Sequence, residues 1–429
     1  MRTARATLVA ALATLTMVAG AGIASPAAQA TPPVKPAGLE NAKACEITRP
    51  SEGWPDGTSA GFDTNLHHGL DSDWKQHVRP VGTVRAIMLF VDFPNARAED
   101  NPAPYADTST YYDFLEPSVE WFRRSSNGRL NLEITTVPQW FRMPLPDTEY
   151  GLSRNTFTVE NQLEYVRDVV NVTDPDVDFS DYRLLYIVPS RNASHIAFSP
   201  EFNDYTRSIV ADGTVLKNGD TFGQDMWGWG FKILNHETGH AFSLPESYNA
   251  TGIGGTHRFV GGWDMMGNIS GRAPELMGWN KWKLDWLQRP QIGCVTQSGV
   301  TEYTLTPIEQ GGPPGAAKKL VVVRTGPYTA WVAELRRAVG NDAGTICDPG
   351  VLVYKVDTSI PNGDGSIQVH DAKPGSGRQG PCTEPDIGTL GIGADEVPLF
   401  HDPATNVTIE VVSEDESKAM VRVTKGDAP

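Results

Sequence analysis

The sequence predicts an α/β (α+β) domain over residues 81–290, followed by an all-β, sandwich-like domain over residues 291–429. In the first part, nearly continuous apolar runs alternate with amphipathic segments, which is the pattern of strands and helices in an α/β fold. In the second part, short β-prone runs are separated by Gly, Pro, Asn and Asp, which is typical of an antiparallel sandwich.

Each element of the first part follows from its residue pattern. Residues 84–93 and 182–189 are almost unbroken apolar runs, which predict buried strands. Residues 130–137 alternate between apolar and polar side chains and predict a further strand. Amphipathic stretches predict helices over residues 111–124 and 160–170.

The second part is predicted to be built from short strands. They fall at residues 303–305, 319–324, 330–335, 351–356, 407–412 and 419–423. Turn residues separate the runs, so neighbouring strands are expected to pair in antiparallel fashion.

Residues 1–30 have the composition of a secretory signal peptide. Arg2 and Arg5 precede an apolar run over residues 8–19, and Ala28-Gln29-Ala30 has the small-x-small form of a cleavage site. A membrane anchor is the alternative, but the run is shorter than the roughly 20 residues that a bilayer span needs. We therefore expect a secreted, extracellular protein that starts at Thr31, with an irregular segment over residues 31–80.

The charge balance excludes two classes of partner. The chain has 36 Lys and Arg against 52 Asp and Glu, and the predicted signal peptide contains two arginines and no acid, so the mature formal charge is 34 − 52 = −18. Nucleic acids and anionic membranes repel such a chain, so neither is expected as a partner.

The four cysteines predict disulfides. An even number in an exported protein favours pairing, and none of them lies in a C-x-x-C spacing. Cys347 and Cys382 share one C-terminal region and are predicted to pair, which leaves Cys45 to pair with Cys294. The alternative for Cys45 is a free thiol that caps a metal to keep the protein latent.

The sequence His236-Glu237-Thr238-Gly239-His240 carries the clearest chemistry. Two histidines four residues apart lie on one face of a helix, where both imidazoles can bind one zinc ion. Zinc lowers the pKa of a coordinated water to about 7, and a carboxylate beside that water can accept its proton. Glu237 is therefore the candidate general base, and His236 and His240 are the candidate metal ligands.

A catalytic zinc usually has a third protein ligand. Glu246 follows the helix directly after Pro245, which ends the helix and allows the chain to turn back toward the metal. Glu275, 35 residues after His240, is the rival, because thermolysin-like enzymes take a downstream glutamate. It lacks the N-E-x-x-x-D setting of those enzymes. His257 is a third candidate, in the loop that follows.

The stretch from His236 to Tyr248 resembles the H-E-x-G-H-x-x-G-L-P-D-x-Y motif of secreted bacterial metalloproteases of the immune inhibitor A type. The chain shares with that motif His236, Glu237, Gly239, His240, Leu244, Pro245 and Tyr248. It has Ser243 in place of glycine, which a backbone outside the left-handed region accommodates, and Glu246 in place of aspartate. Weaker similarity extends over roughly residues 82–360.

The resemblance implies a metzincin-like catalytic domain with Glu246 as the third zinc ligand. Residues 262–267 resemble the family's W-D-x-M turn, which places Met266 at a Met-turn beneath the metal as a packing support. The implied activity is that of a zinc endopeptidase acting on protein or peptide substrates. The rival from another class is a non-catalytic binding protein on a degenerate protease fold.

Two further features remain open at this stage. Tyr248 is either a donor to the transition-state oxyanion or a core residue. The carboxylates of Asp174, Asp176, Asp178 and Asp181 are a candidate calcium site, although without EF-hand spacing, and a solvated acidic turn is the alternative.

Overall fold

The computed structural model describes residues 35–36 as backbone only, and residues 41–54, 63, 65–312, 315, 317–383 and 385–427 in full. The predicted signal peptide lies outside these residues. The strands, in chain order, are β1 Lys35–Pro36, β2 Gly82–Asp92, β3 Leu130–Arg142, β4 Leu184–Pro189, β5 Glu201–Asn203, β6 Val210–Ala211, β7 Thr214–Val215, β8 Asn218–Thr221, β9 Ile292–Val295, β10 Gly299–Leu305, β11 Leu320–Arg324, β12 Thr329–Leu335, β13 Val351–Asp357, β14 Ile367–Val369, β15 Leu399–Asp402, β16 Val407–Glu414 and β17 Ala419–Lys425. The α-helices are α1 Leu115–Ser125, α2 Val159–Thr173, α3 Met226–Trp229, α4 Phe231–Ala241 and α5 Gly278–Lys283.

The first sheet has the strand order β3-β2-β4-β8-β5. Strands β3, β2, β4 and β8 are parallel, and β5 runs antiparallel to β8 at the edge. Parallel strands need helical crossovers, which cover both faces of such a sheet. The mixed α/β class predicted for this part of the chain is confirmed.

Strand β2 shows how the sheet divides two cores. Its alternate residues Val84, Ala86, Met88 and Phe90 pack with α1 and α4 on one face. The intervening residues Ile87, Leu89 and Val91 pack with α2 on the other face. Both faces of the strand are buried, which is why its sequence is a continuous apolar run.

The helix predicted over residues 111–124 begins later than expected. Residues Thr108–Phe114 form a 3-10 helix, and α1 starts at Leu115. Pro117 lies in the first turn of α1, where its missing N–H has no intrahelical partner to lose. An α-helix that began at Tyr111 would place Pro117 in its interior and lose a backbone hydrogen bond.

The strands beyond residue 290, together with β1 near the start of the chain, form two five-stranded sheets, β1-β10-β17-β16-β15 and β14-β13-β12-β11-β9. Most neighbours are antiparallel, as predicted, but β1 pairs with β10 and β9 pairs with β11 in parallel. Apolar side chains of both sheets meet in one core, which includes Tyr303, Val321, Val353, Ile409 and Val421.

A fourth core crosses residue 290. It joins the tryptophans Trp263, Trp279 and Trp282 to side chains of β11 and β13 such as Val322 and Tyr354. The segments that precede and follow residue 290 therefore bury a common apolar surface.

Both predicted disulfides are confirmed. Cys45 is bonded to Cys294, and Cys347 to Cys382. The alternative of a latency thiol at Cys45 is wrong, because its sulfur is already bonded. No helix in the described part of the chain has the length and hydropathy that a bilayer span requires.

The segment over residues 65–78 carries a group of buried histidines. His67, His68 and His77 are at most 3% exposed. Burial, together with the charge of nearby Lys283, lowers the pKa of these groups to about 2, 3 and 4, respectively. His68 bridges the Oγ atoms of Ser366 (2.6 Å) and Ser247 (3.3 Å), so it ties the chain beyond α4 to the β sheets.

Candidate metal centre

Helix α4 carries the metal-binding sequence. Gly230, with φ +60°, allows the chain to turn sharply from α3 into α4. Ile233 and Leu234 face the core that α4 shares with α1 and β2. All residues from Ile233 to Ala241 are buried, so His236, Glu237 and His240 are held on a rigid element.

The helix ends in a Schellman motif. The N–H of Leu244 donates to the carbonyl of Gly239 at 2.9 Å, and the N–H of Ser243 donates to that of His240 at 2.8 Å. Ser243 has φ +74°, so the backbone here is in the left-handed region and the condition under which serine replaces glycine without strain is not met. Glycine suits such a position because it has no Cβ, and the serine here is strained.

The turn brings Glu246 back to the two histidines. Its Oε2 lies 3.3 Å from His236 Nε2, and its Oε1 lies 3.2 Å from His240 Nε2. The ligand atoms of His236, His240 and Glu246 all lie within 4.8 Å of one another. The structure therefore brings these three predicted ligands together.

The hydrogen bonds of the two imidazoles fix which nitrogens face this group. His236 Nδ1 lies 3.1 Å from the carbonyl oxygen of Met265, and His240 Nδ1 lies 2.8 Å from that of Leu244. A carbonyl only accepts, so each Nδ1 donates its hydrogen and each Nε2 faces Glu246. A cation, either a proton or a metal ion, is needed between these nitrogens and the carboxylate to hold them this close.

The residues therefore fit a divalent metal. Glu246 Oε2 is buried and has no hydrogen-bond partner, as expected of an atom whose partner is an ion. Two imidazoles and one carboxylate match the ligands of catalytic zinc, which keeps a fourth position open. Carbonyl acceptors on the second nitrogen of each imidazole are the usual outer support of such ligands.

The electrostatics of the metal-free group show how tightly these residues interact. Burial would raise the pKa of Glu246, but His240 and His236 outweigh it and lower that pKa to about 2. Burial opposes the charging of His240, yet the carboxylates of Glu246 and Glu201 raise its pKa. Burial raises the pKa of Glu237 well above its ordinary range.

Met266 lies directly against α4. A Cβ built on Gly239 would approach the Met266 sulfur to 2.7 Å, so any larger residue there would have to displace the Met266 side chain. Asp264 shapes the turn by accepting hydrogen bonds from the N–H of Met266 at 2.8 Å and of Met277 at 2.7 Å. The methionine thus supports the helix and does not belong to the ligand group.

Two residues position Glu246. Tyr248 donates its hydroxyl hydrogen to Glu246 Oε1 at 3.1 Å, and Asn362 Oδ1 accepts from the Glu246 N–H at 2.7 Å. Burial and the charge of Glu246 raise the pKa of Tyr248 well above its ordinary value. No local sequence pattern relates Asn362 to Glu246, because the two residues lie 116 positions apart.

Neither rival ligand joins the group. Glu275 is fully buried elsewhere, where its carboxylate pairs with Lys281 at 3.1 Å and accepts from Asn341 at 3.2 Å. His257 is exposed and its Nδ1 lies 3.0 Å from the carbonyl oxygen of Gly267.

The four aspartates of the candidate calcium site do not converge. Within the described residues, they contribute to no group of three ligand atoms within 4.8 Å. Asp178 accepts from the N–H of Ser180, and Asp181 lies 3.7 Å from Arg85. Their contacts are those of an acidic turn.

Two acidic residues beside the centre were not found from the sequence. Glu201 has a carboxylate oxygen within 4.8 Å of both Glu237 and His240. Asp220 is fully buried and accepts from Thr238 Oγ1 at 3.0 Å. Burial raises the pKa of both carboxylates. Strands β5 and β8, which carry them, are too short to show a sequence period.

Comparison with protein-family models gives no match to this chain, and a search of curated proteins likewise finds no significant match.

Proposed function

We propose that this protein is a secreted zinc-dependent endopeptidase. The observation that carries the proposal is that the side chains of His236, His240 and Glu246 converge on one point. Glu237 lies on helix α4 between the two histidines. The proposed architecture is a metzincin-like catalytic domain followed by a β-sandwich. The likeness of residues 236–248 to immune inhibitor A-type proteases supports the same assignment.

The side chains have distinct roles in the proposed reaction. When bound, zinc would supply Lewis acidity and lower the pKa of a water to about 7. Glu237 accepts the proton of the attacking water and then passes it to the leaving amine. Tyr248 holds Glu246 through its hydroxyl and lies where it could also donate to the oxyanion. Protein and peptide chains are the proposed substrates.

The test combines metal analysis with casein hydrolysis. Wild-type protein should hold about one zinc per chain and lose activity to o-phenanthroline. Glu237→Gln should keep the zinc and lose at least about a hundredfold in kcat, because it removes a base and not a ligand. Glu149→Gln, a change of the same charge at an exposed position, is the matched control and should behave as wild type.

The alternative is a non-catalytic binding protein with an intact metal site. It predicts bound zinc in the wild type with no hydrolysis of casein or of a peptide library. That result, or a wild type without zinc, would reject the peptidase.

A further inference from the structure

We propose that Glu201 and Asp220 form an anionic subsite that recognises an ammonium or guanidinium group of the substrate beside the scissile bond. This inference rests on the proposed peptidase function and extends it to substrate class. The cation has two possible sources, a Lys or Arg side chain next to the scissile bond or the amino terminus of the peptide.

The sheet register puts the two carboxylates side by side. Glu201 of β5 is the direct antiparallel partner of Asp220 of β8, so both side chains emerge on one face of the sheet. That face is the one covered by α4, since Asp220 Oδ2 accepts from Thr238 of α4 and Glu201 reaches Glu237 and His240. The pair therefore lies against the candidate reaction centre.

Neither carboxyl group forms an ion pair with a Lys or Arg of the described residues. Asp220 Oδ1 is buried without a hydrogen-bond partner. Among the described residues, the ion pairs of this region are those of Glu246 with His236 and His240, and Glu201 and Asp220 have none. Like charges placed directly opposite destabilise a sheet, so the pair is costly in the free protein.

The count of charges indicates what the subsite lacks. Glu201, Asp220, Glu237 and Glu246 bring four carboxyl groups together, and among the described residues no Lys or Arg forms an ion pair with any of them. A substrate cation placed beside Glu201 would make charge-assisted hydrogen bonds in a site largely shielded from water, where they are strong. Glu201 is only partly buried, at the edge strand, so a substrate group can reach it.

The experiment uses internally quenched peptides that differ only in arginine or citrulline next to the scissile bond. Citrulline has nearly the shape of arginine without its charge. Each peptide is made with a free and an acetylated amino terminus. Wild-type enzyme should cleave the arginine peptide with a kcat/KM about tenfold to a hundredfold higher, a size set by a charge-assisted hydrogen bond.

Glu201→Gln should bring the ratio of the two rates close to one, because the loss of rate should fall mainly on the peptide that carries the cation. Glu149→Gln should keep the wild-type ratio. Faster cleavage of the arginine peptide than of the citrulline peptide identifies the side chain as the cation. Equal rates for arginine and citrulline, with faster cleavage of the free than of the acetylated peptides, identify the amino terminus.

Three results would overturn the subsite: equal rates for all four peptides in wild type, an equal loss on all four in Glu201→Gln, or loss of a second bound metal ion in Glu201→Gln. If no peptide is cleaved at all, the peptidase proposal fails instead. Calorimetric binding of the same peptides to zinc-loaded protein then decides the subsite, and equal affinities for all four peptides would reject it.

Discussion

Replacing Ser243 by glycine should stabilise this protein. The residue has φ +74° at the end of the helix that carries His236 and His240, and its side chain is fully buried. Its hydroxyl has no hydrogen-bond partner. Both features are costs that a glycine removes, and the two backbone hydrogen bonds that end the helix are kept.

The magnitude follows from three contributions. A side chain in the left-handed region costs about 1–2 kcal/mol, and a buried unsatisfied hydroxyl about 1–3 kcal/mol. Glycine loses more conformational freedom on folding, which offsets roughly 0.5–1 kcal/mol of this gain. We therefore expect Ser243→Gly to raise the free energy of unfolding by about 2 kcal/mol.

The assay is urea unfolding of the metal-free and zinc-loaded protein, followed by circular dichroism. Ser243→Ala is the matched control, because it removes the hydroxyl but keeps the Cβ, and it should fall between wild type and Ser243→Gly. Zinc affinity should stay within about twofold, since Leu244 and Glu246 keep their positions. A Ser243→Gly protein less stable than Ser243→Ala would refute the reasoning about backbone strain.

Three further predictions concern the ligands and the pH response. Glu246→Ala should weaken zinc affinity at least about tenfold in competition with a chromogenic chelator, whereas Glu275→Gln should leave it unchanged; the reverse pattern would contradict the ligand assignment. Asn362→Ala should weaken zinc affinity about threefold to tenfold, because the N–H of the ligand Glu246 loses its acceptor. Equal zinc affinities of Asn362→Ala and wild type would show that other contacts hold the turn at Glu246. His68 has a pKa of about 3 when folded and about 6.5 when unfolded, so the unfolded chain binds its proton first and stability falls as the pH drops from 6.5 toward 3. His68→Gln should therefore reduce the slope of the unfolding free energy against pH by about 1.4 kcal/mol per pH unit between pH 6 and 4. If this slope is the same as in wild type, His68 already carries a proton in the folded protein.

Local patterns in the sequence determined the elements and the ligand types. The buried strand β2 was predicted from its apolar run because both of its faces are covered, and β4, α2, β10 to β13, β16 and β17 followed from similar patterns, whereas the short strands β14 and β15 were missed. The spacing of His236 and His240 fixed their common face, since that spacing is one turn of any helix. Pairing of the cysteines followed from their number and positions.

Other features depend on contacts between distant segments, and only the tertiary structure decided them. Asn362 reaches Glu246 across 116 residues, and Glu201 meets Asp220 only because β5 and β8 pair in one register. Serine by itself disfavours a left-handed backbone. Ser243 adopts one because the chain ends the helix there and turns back to bring Glu246 to the histidines. A sequence pattern records what a residue prefers, whereas these positions are set by what the surrounding fold requires.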